Sequence, residues 1–538
     1  MDEVRQYHEN RIRTFLRQSL TPSSDSDGGA STDTINAKNV VDVFQLPELL
    51  LMILGYLTRQ DLLQACVVSK RWCQTAQPLI WRCIEGTHMA RNGVLPYFLM
   101  RFSHLVKTLE LQYLSEDLDH LMGSRVYPRL TTLDLQNASI SSPQLASVLK
   151  LLPRLETINL LHCHQLRQHP LETLLPYSKL KSIGFEQGAS SPPASLKAKD
   201  AIKHHWPQLN RLFINVSVFE DYTKYYMSGG IDNEEGYLYQ DYGDDSYISS
   251  SNVKNPLLSL QRTIRASPLS LQSIELESVQ YWDNSCLVDI ILGSPGLERL
   301  SLAFCYFSGE AFTTIISSSP TAFASLVDLE IKYCTRIKEA DLVPLMRASR
   351  LRKLTLSAFT ISVPTFERMV EFCPDLYYLC LNECRYLSTG LRLILMNCLK
   401  LRHLRSTHVH YKKGPGAMKL FEEPLWNCTS LEELRLDGIP LTTSEAKDEN
   451  LKEQSIMNMY NQLGRQTNLR TLSIVNMESR NSLQGQKIER LEALKRLERL
   501  GLFGCGAWKF SDVVFIAETF PELRKFDVTE KDMGLDLS

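Results

Sequence analysis

A hexapeptide recurs along most of this chain, and it restricts the possible folds more than any other feature. It reads as a large apolar residue, two variable positions, a second apolar, one variable, and a third apolar. Clear copies are LTTLDL from Leu130, LETINL from Leu155, LERLSL from Leu297, LVDLEI from Leu326, LRKLTL from Leu351 and LYYLCL from Leu376. LEELRL from Leu431, LRTLSI from Leu469 and LERLGL from Leu497 continue the series. Weaker copies begin at Val106, Leu180, Leu209, Leu271, Leu401 and Leu523. Most neighbours stand 24–29 residues apart. Chance alternation would give strands without a fixed interval.

The end of each hexapeptide alternates apolar and polar, as a half-buried strand does. The rest of the unit, such as LASVLKLL before Leu155, has helical apolar spacing. One strand and one helix cannot bury their apolar faces alone, so the units must stack. The pattern resembles leucine-rich repeats, whose period spans this range. Cys163, Cys305, Cys334, Cys384 and Cys505 each stand three residues after the last apolar. This resembles the cysteine-containing subclass, in which the thiol fills the turn after the strand. Cys373, Cys398 and Cys428 lie just before the next copy, where that subclass also places cysteine.

Two intervals are too long. From Leu209 to Leu271 the spacing fits one lost or degenerate unit plus an acidic, Tyr-rich insertion at about 216–254. From Leu431 to Leu469 a helix-prone polar run at about 440–462 is expected to lengthen one connection. The array then covers 101–528, followed by a tail at 529–538. At the other end, residues 1–20 read as a short polar helix or disordered segment. Residues 21–40 are mostly Ser, Asp, Thr and Gly, too polar to offset ordering entropy, and read as a flexible linker.

Between linker and array lies a segment of another kind, DVFQLPELLLMILGYLTRQDLLQACVVSKRWCQTAQPLIWRCI. Pro47 suits the opening turn of a helix, where its missing N–H would be unpaired anyway. Leu50, Ile53, Leu54 and Leu57 recur at helical spacing, and Leu49, Leu51 and Met52 widen the stripe almost around the helix. One face can pack internally; the surplus needs another cover. Asp61 is expected to start a second helix with Leu62, Leu63 and Cys66, and Ser69 to cap a third holding Trp72, Ala76 and Trp81.

The run LP-E-LL, IL-YL, DLL, V-SKRW and P-L-W resembles the F-box family signature over residues 41–85, with 86–100 as a connection to the array. The resemblance implies docking on the Skp adaptor, and through it on a cullin–RING scaffold. Its implied adaptor-facing residues are Leu46, Pro47, Leu50, Ile53, Leu54, Leu57, Leu62, Trp72 and Trp81. An F-box followed by leucine-rich repeats is itself a known arrangement. The expected fold is therefore α/β: a short three-helix F-box, then a curved leucine-rich-repeat solenoid with strands concave and helices convex. The implied function is substrate recognition for an SCF-type ubiquitin ligase, without catalysis by this chain. A scaffold that binds the adaptor without delivering substrates is the alternative.

The surface for an unknown protein substrate is the outward residues of the repeat strands. These include Glu110, Gln112, Asp134, Gln136, Glu275, Glu277, Glu330, Lys332, Arg405, Arg435, Asp437, Phe503 and Asp527. The net charge of −2, from 59 basic and 61 acidic residues, gives no reason to expect a nucleic-acid partner. No run approaches the roughly 18 apolar residues of a membrane helix, so the cytosol or nucleus is expected, with cysteines reduced. No paired CxxC, phosphate-binding glycine loop, G-x-S-x-G or H-E-x-x-H occurs. His162, Cys163 and His164 are successive residues whose side chains diverge. No metal or cofactor is expected.

Overall fold

The computed structural model describes residues 47–86, 95–114, 118–166, 173–174, 176–186, 206, 208–215, 271–279, 284–386, 388–407, 420–421, 424–437, 449–475, 488–503 and 510–527. Leu46, residues 1–40, the whole 216–254 stretch, Cys505 and the tail lie outside them. The chain divides into two units, Met1–Leu166 and Arg167–Ser538.

The first unit begins with helices α1 (Pro47–Leu54), α2 (Arg59–Val68) and α3 (Lys70–Ile80). Their shared core is Leu50, Leu54, Leu62, Ala65, Val68, Trp72, Ala76 and Ile80. Trp72, Ala76 and Ile80 recur every four residues, which puts them on one face of α3. Helix α2 starts at Arg59, before the expected Asp61, because Thr58 caps it. Thr58 Oγ1 accepts from the Asp61 N–H at 3.3 Å and its hydroxyl donates to Asp61 Oδ2 at 2.7 Å. Ser69 caps α3 as expected, accepting from the Trp72 N–H at 3.2 Å.

Four short parallel strands follow in register: β1 (Cys83–Glu85), β2 (Thr108–Glu110), β3 (Thr132–Asp134) and β4 (Thr157–Leu160). Helices α4 (Leu95–Phe102), α5 (Leu118–Met122) and α6 (Ser142–Leu149) alternate with them. Strand β1 has no hexapeptide, so the sheet of this unit starts inside the segment assigned to the F-box. Helix α4 occupies the expected connection. Its Phe102 stacks on Trp81 at 4.4 Å between centroids, with Phe98 at 4.8 Å.

The second unit repeats the scheme. Its strands are β5 (Ser182–Glu186), β6 (Arg211–Asn215), β7 (Ser273–Glu277), β8 (Arg299–Ala303), β9 (Asp328–Lys332) and β10 (Lys353–Ser357). A two-residue strand β11 (Thr360–Ile361) precedes β12 (Tyr378–Asn382), and β13 (Arg385–Tyr386) pairs with β11 alone. Then come β14 (His403–Thr407), β15 (Glu433–Asp437), β16 (Thr471–Val475), β17 (Arg499–Phe503) and β18 (Lys525–Asp527). Apart from β11 and β13, each is parallel to the next in one continuous register. Intervening helices are α7 (Asn284–Leu292), α8 (Glu310–Ser318), α9 (Glu339–Ala348), α10 (Val363–Phe372), α11 (Ser388–Asn397), α12 (Glu449–Gly464) and α13 (Phe510–Thr519). No helix of the described residues is long and apolar enough to cross a membrane.

Every hexapeptide therefore overlaps a strand, and its described apolar residues are buried in every copy but the last, where Leu523 and Phe526 are half-buried. The second and fourth strand positions form two buried ladders, such as Leu329–Leu354–Leu379–Leu404 and Ile331–Leu356–Leu381. A left-handed residue that is not glycine stands one to three positions after the strand in eight repeats: Tyr113, Asn137, His162, Ser278, Phe304, Tyr333, Ala358 and Glu383. Where its N–H completes the last rung, as from Phe304 to the Lys332 carbonyl at 2.8 Å, the chain turns only afterwards. The next residue then points into the core. Where it is cysteine, its thiol donates to the fourth-position carbonyl of the preceding repeat: Cys163 to Leu135, 3.0 Å; Cys305 to Leu276, 3.3 Å; Cys384 to Leu356, 3.4 Å. Burial pushes the Cys384 thiol up to about 12, and those of Cys373, Cys398 and Cys428 likewise, so these groups are protonated at neutral pH.

Strand β6 pairs directly with β7, Arg211 opposite Ser273, so of the two readings of the first long interval the lost unit fits and the degenerate strand does not. In the second, Glu449–Gly464 is helix α12 in the connection between β15 and β16, with Met459, Tyr460 and Leu463 buried.

The alternation sets unequal costs on neighbouring positions. Leu354→Ala should lower unfolding free energy by about 2–5 kcal/mol, and Thr355→Ala by no more than about 0.5. Denaturant titration of the two variants measures this, and equal effects would reject the inward–outward assignment.

Candidate functional site

The residues singled out in the sequence lie on the helical segment and the strand face of the first unit, and on the strand face of the second. On the helical segment, burial divides the expected adaptor-facing set. Leu50 and Leu54 are fully enclosed, and Leu62 and Trp72 belong to the same core. These four shape the helices from within, so direct contact with an adaptor would need them to leave that core. Ile53 and Leu57 are half-buried. Trp81 is half-buried against Phe98 and Phe102. Leu46 and the Pro47 side chain lie outside the described residues. The apolar side chains open to solvent are others: Leu51 (45%), Met52 (60%) and Tyr56 (92%) at α1, and Leu63 (51%) and Val67 (58%) on α2. Helical spacing could not distinguish them, because α1 is apolar nearly all round.

On the strand face of the first unit, Glu85, Glu110 and Asp134 occupy one register line across β1, β2 and β3. Burial, with the charges of Glu85 and Asp134, pushes the Glu110 carboxyl up. Gln112 Nε2 donates to Asp134 Oδ2 at 2.9 Å, and the Gln136 N–H to Asp134 Oδ1 at 2.9 Å. Glu110, Gln112, Asp134 and Gln136 are all half-buried, as outward strand positions are.

In the second unit the outward charges are mostly paired. Arg299 reaches Glu275 at 3.7 Å, Asp328 at 3.8 Å and Glu330 at 3.7 Å, and Lys332 pairs with Glu330. Glu277 is half-buried in the fifth position of β7, and Asp527 pairs with Lys525 at 3.0 Å. Phe503 is known here only by its register opposite Val475, since its side chain is not described.

Farther along, Lys332, Glu330, Arg405, Arg435 and Asp437 share a concavity of ≈ 350 Å³ with Thr355, Tyr378, Cys380, Asn382, Ser406 and Thr407. Its organising group is Glu433, in the first position of β15, where sequence reading sought no site. Arg405 donates two parallel bonds to its carboxylate, Nε to Oε1 and Nη2 to Oε2, each 3.0 Å. Arg435 Nε lies 2.6 Å from Oε1 as an ion pair without hydrogen-bond alignment, and His403 Nδ1 is 3.4 Å from Oε2. Burial alone would raise the Glu433 carboxyl. The hydrogen bonds and charge of Arg405, with Arg435 and His403, outweigh it and hold the group below its ordinary range. Below the concavity buried Ser406 replaces the usual fourth-position leucine, and the hydroxyl of half-buried Tyr386 meets it there.

Residues 47–85 match the F-box-like family, and residues 79–228 match the leucine-rich repeats of the FBD-associated F-box protein At5g56370. No curated protein sequence matches the chain. Among solved structures, the chain is similar to one in a TLR13–ssRNA13 complex: 15% identity, 80% of this chain and 58% of that one, TM-score 0.41. It thus spans only 58% of that relative's length. It is also similar to a chain in the yeast Rad7–Elc1 complex: 13% identity, 91% and 90% coverage, TM-score 0.42.

Because Glu433 has a lowered value when folded, its stabilisation is present above the ordinary 4.5 and lost as pH falls through the folded value. Glu433→Gln should cost about 1–3 kcal/mol at pH 7, toward the lower end because the guanidiniums remain partly exposed. The deficit should shrink as pH is lowered below 4.5. Denaturant unfolding of both proteins across pH measures this; a constant gap would contradict it.

Proposed function

With an F-box-like segment at residues 47–85 and leucine-rich repeats after it, we propose that the chain is a substrate-recognition subunit of an SCF-type cullin–RING ubiquitin ligase. The helical segment docks on the Skp adaptor, and the strand face of the repeats holds a target protein. The observation that carries this reading is the solvent-open apolar set Leu51, Met52, Tyr56, Leu63 and Val67 on helices whose inner face is already filled. Covering each Leu-sized side chain contributes roughly 1.5–3 kcal/mol before association costs, so a few suffice for a stable complex. Ile53 and Leu57 fit the rim of such a contact, whereas Leu50, Leu54, Leu62 and Trp72 set its shape from beneath.

No catalytic group is needed in this chain. Ubiquitin transfer belongs to the enzyme brought by the RING subunit, and this protein raises the effective concentration of target lysines near it. The outward strand residues Glu275, Glu330, Lys332, Arg405, Arg435 and Asp437 are the proposed target contacts. Place of action is proposed as cytosol or nucleus, where such ligases meet their targets.

Met52→Glu/Val67→Glu should abolish co-purification of the Skp adaptor, with an unchanged circular-dichroism spectrum and melting temperature. Undiminished adaptor binding would overturn the docking surface. If the wild-type complex, reconstituted with cullin, RING protein and ubiquitin, binds a target but adds no ubiquitin to it, the chain is a scaffold instead.

A further inference from the structure

Helices α2 and α3 meet at a one-residue elbow, Ser69, whose backbone is extended. Cys66 lies three residues before it, in the last turn of α2, and Cys73 four residues after it, in the first turn of α3. The two helices pack on one shared core, so residues at these positions face each other across the corner. Their thiols do meet: the Cys66 S–H donates to Cys73. The Gln77 amide, one turn farther along α3, donates to Cys73 Sγ at 3.7 Å. Both cysteines are half-buried, so a small molecule reaches them from solvent.

This combination separates the pair from the other described thiols. Cys305 and Cys334 are also neighbours, the Cys305 N–H donating to Cys334 Sγ at 3.4 Å, but both are buried. Cys163, Cys373, Cys380, Cys384, Cys398 and Cys428 are buried as well. Cys83, the third half-buried thiol, faces the Glu110 carboxylate at 4.0 Å. Burial, together with Cys73 beside it, pushes the Cys66 thiol up to about 11, so it is protonated at neutral pH. Cys66 therefore suits the second, resolving step of an oxidation rather than the first.

We propose that Cys66 and Cys73 are a dithiol site for hydrogen peroxide, closing a disulfide that distorts the adaptor-docking face of α2. The Cys73 sulfur attacks the peroxide: an S–O bond forms, the O–O bond breaks, and the leaving oxygen departs as water with the thiol proton. The Cys66 sulfur then attacks the Cys73 sulfur. An S–S bond forms, the S–O bond breaks, and the hydroxyl leaves as water with the Cys66 proton. Two thiols lose two electrons and one peroxide gains them. Leu63 and Val67 flank Cys66 on α2 and are open to solvent. A disulfide brings its sulfurs well inside hydrogen-bond distance, which draws the end of α2 onto α3 and carries Val67 with it. This effect on docking rests on the proposed function; the bridge itself does not.

The test uses the reduced full chain. Hydrogen peroxide is added in slight excess, remaining thiols are alkylated in denaturant, and tryptic peptides are mapped without reduction. Residues 60–70 and 72–82 should appear joined through Cys66 and Cys73, with Cys373, Cys384, Cys398 and Cys428 still free thiols. Cys66→Ser should stop at the sulfenic acid on Cys73, read as a dimedone adduct, and Cys73→Ser should leave Cys66 unoxidised. Bridged protein should bind the Skp adaptor about tenfold more weakly than reduced protein, as loss of one Val-sized contact implies. Dithiothreitol should restore binding, and Cys66→Ser/Cys73→Ser should bind equally with and without peroxide. Absence of the joined peptides, or earlier oxidation of the buried thiols, overturns the proposal. So does bridged protein that binds the adaptor as tightly as reduced protein. If the reduced chain binds no adaptor, the docking reading fails and its redox control with it, while the peptide map still decides the bridge.

Discussion

Parallel pairing is the constraint on which the rest depends. A parallel neighbour cannot be reached by a tight hairpin, so every strand needs a crossover before the next one starts. In this chain the crossover is about twenty residues in the regular repeats, and in eight of the described repeats a left-handed residue near the strand's end opens it. Where that residue donates the final rung, as Phe304 does, the chain turns inward only afterwards. The buried thiols of Cys163, Cys305 and Cys384 find acceptors in carbonyls of the preceding repeat. Once one rung is fixed, the register of the following one is fixed too.

Register also produces the outward surfaces. Holding every repeat in phase places third and fifth positions in continuous outward lines, so residues dozens of positions apart in sequence become neighbours. Arg405 and Arg435 are thirty residues apart and directly opposed. Their shared Glu433 sits in the first position, and its half-enclosed setting makes the arrangement dependent on its ionisation. The helical segment follows different logic: it fills its own core with eight side chains and still has apolar ones left over.

Much of this was legible in the sequence because the signal repeats. The hexapeptides located the strands, and the alternation within them told inward from outward residues. Strand β1 escaped because Cys83–Glu85 offers a single inward apolar residue, Ile84, and no repeat before it. The left-handed turns escaped because Phe304, Tyr333 and Ala358 are not glycine. The Ser406 exception had no visible cause until Tyr386, twenty residues earlier, was found beside it. On α1, spacing could not decide which apolar residues face inward, since nearly all positions qualify. Leu50 and Leu54 go in, while Leu51 and Met52 stay out.

The central claim is that those outward residues meet an adaptor while the repeats remain free for a target. Amide hydrogen exchange of the full chain, with and without saturating Skp adaptor, measures it directly. Slowed exchange confined to residues 47–68 is the predicted result, with residues 297–437 unchanged. Protection in the repeats with none in the helices, or no protection anywhere, would contradict it.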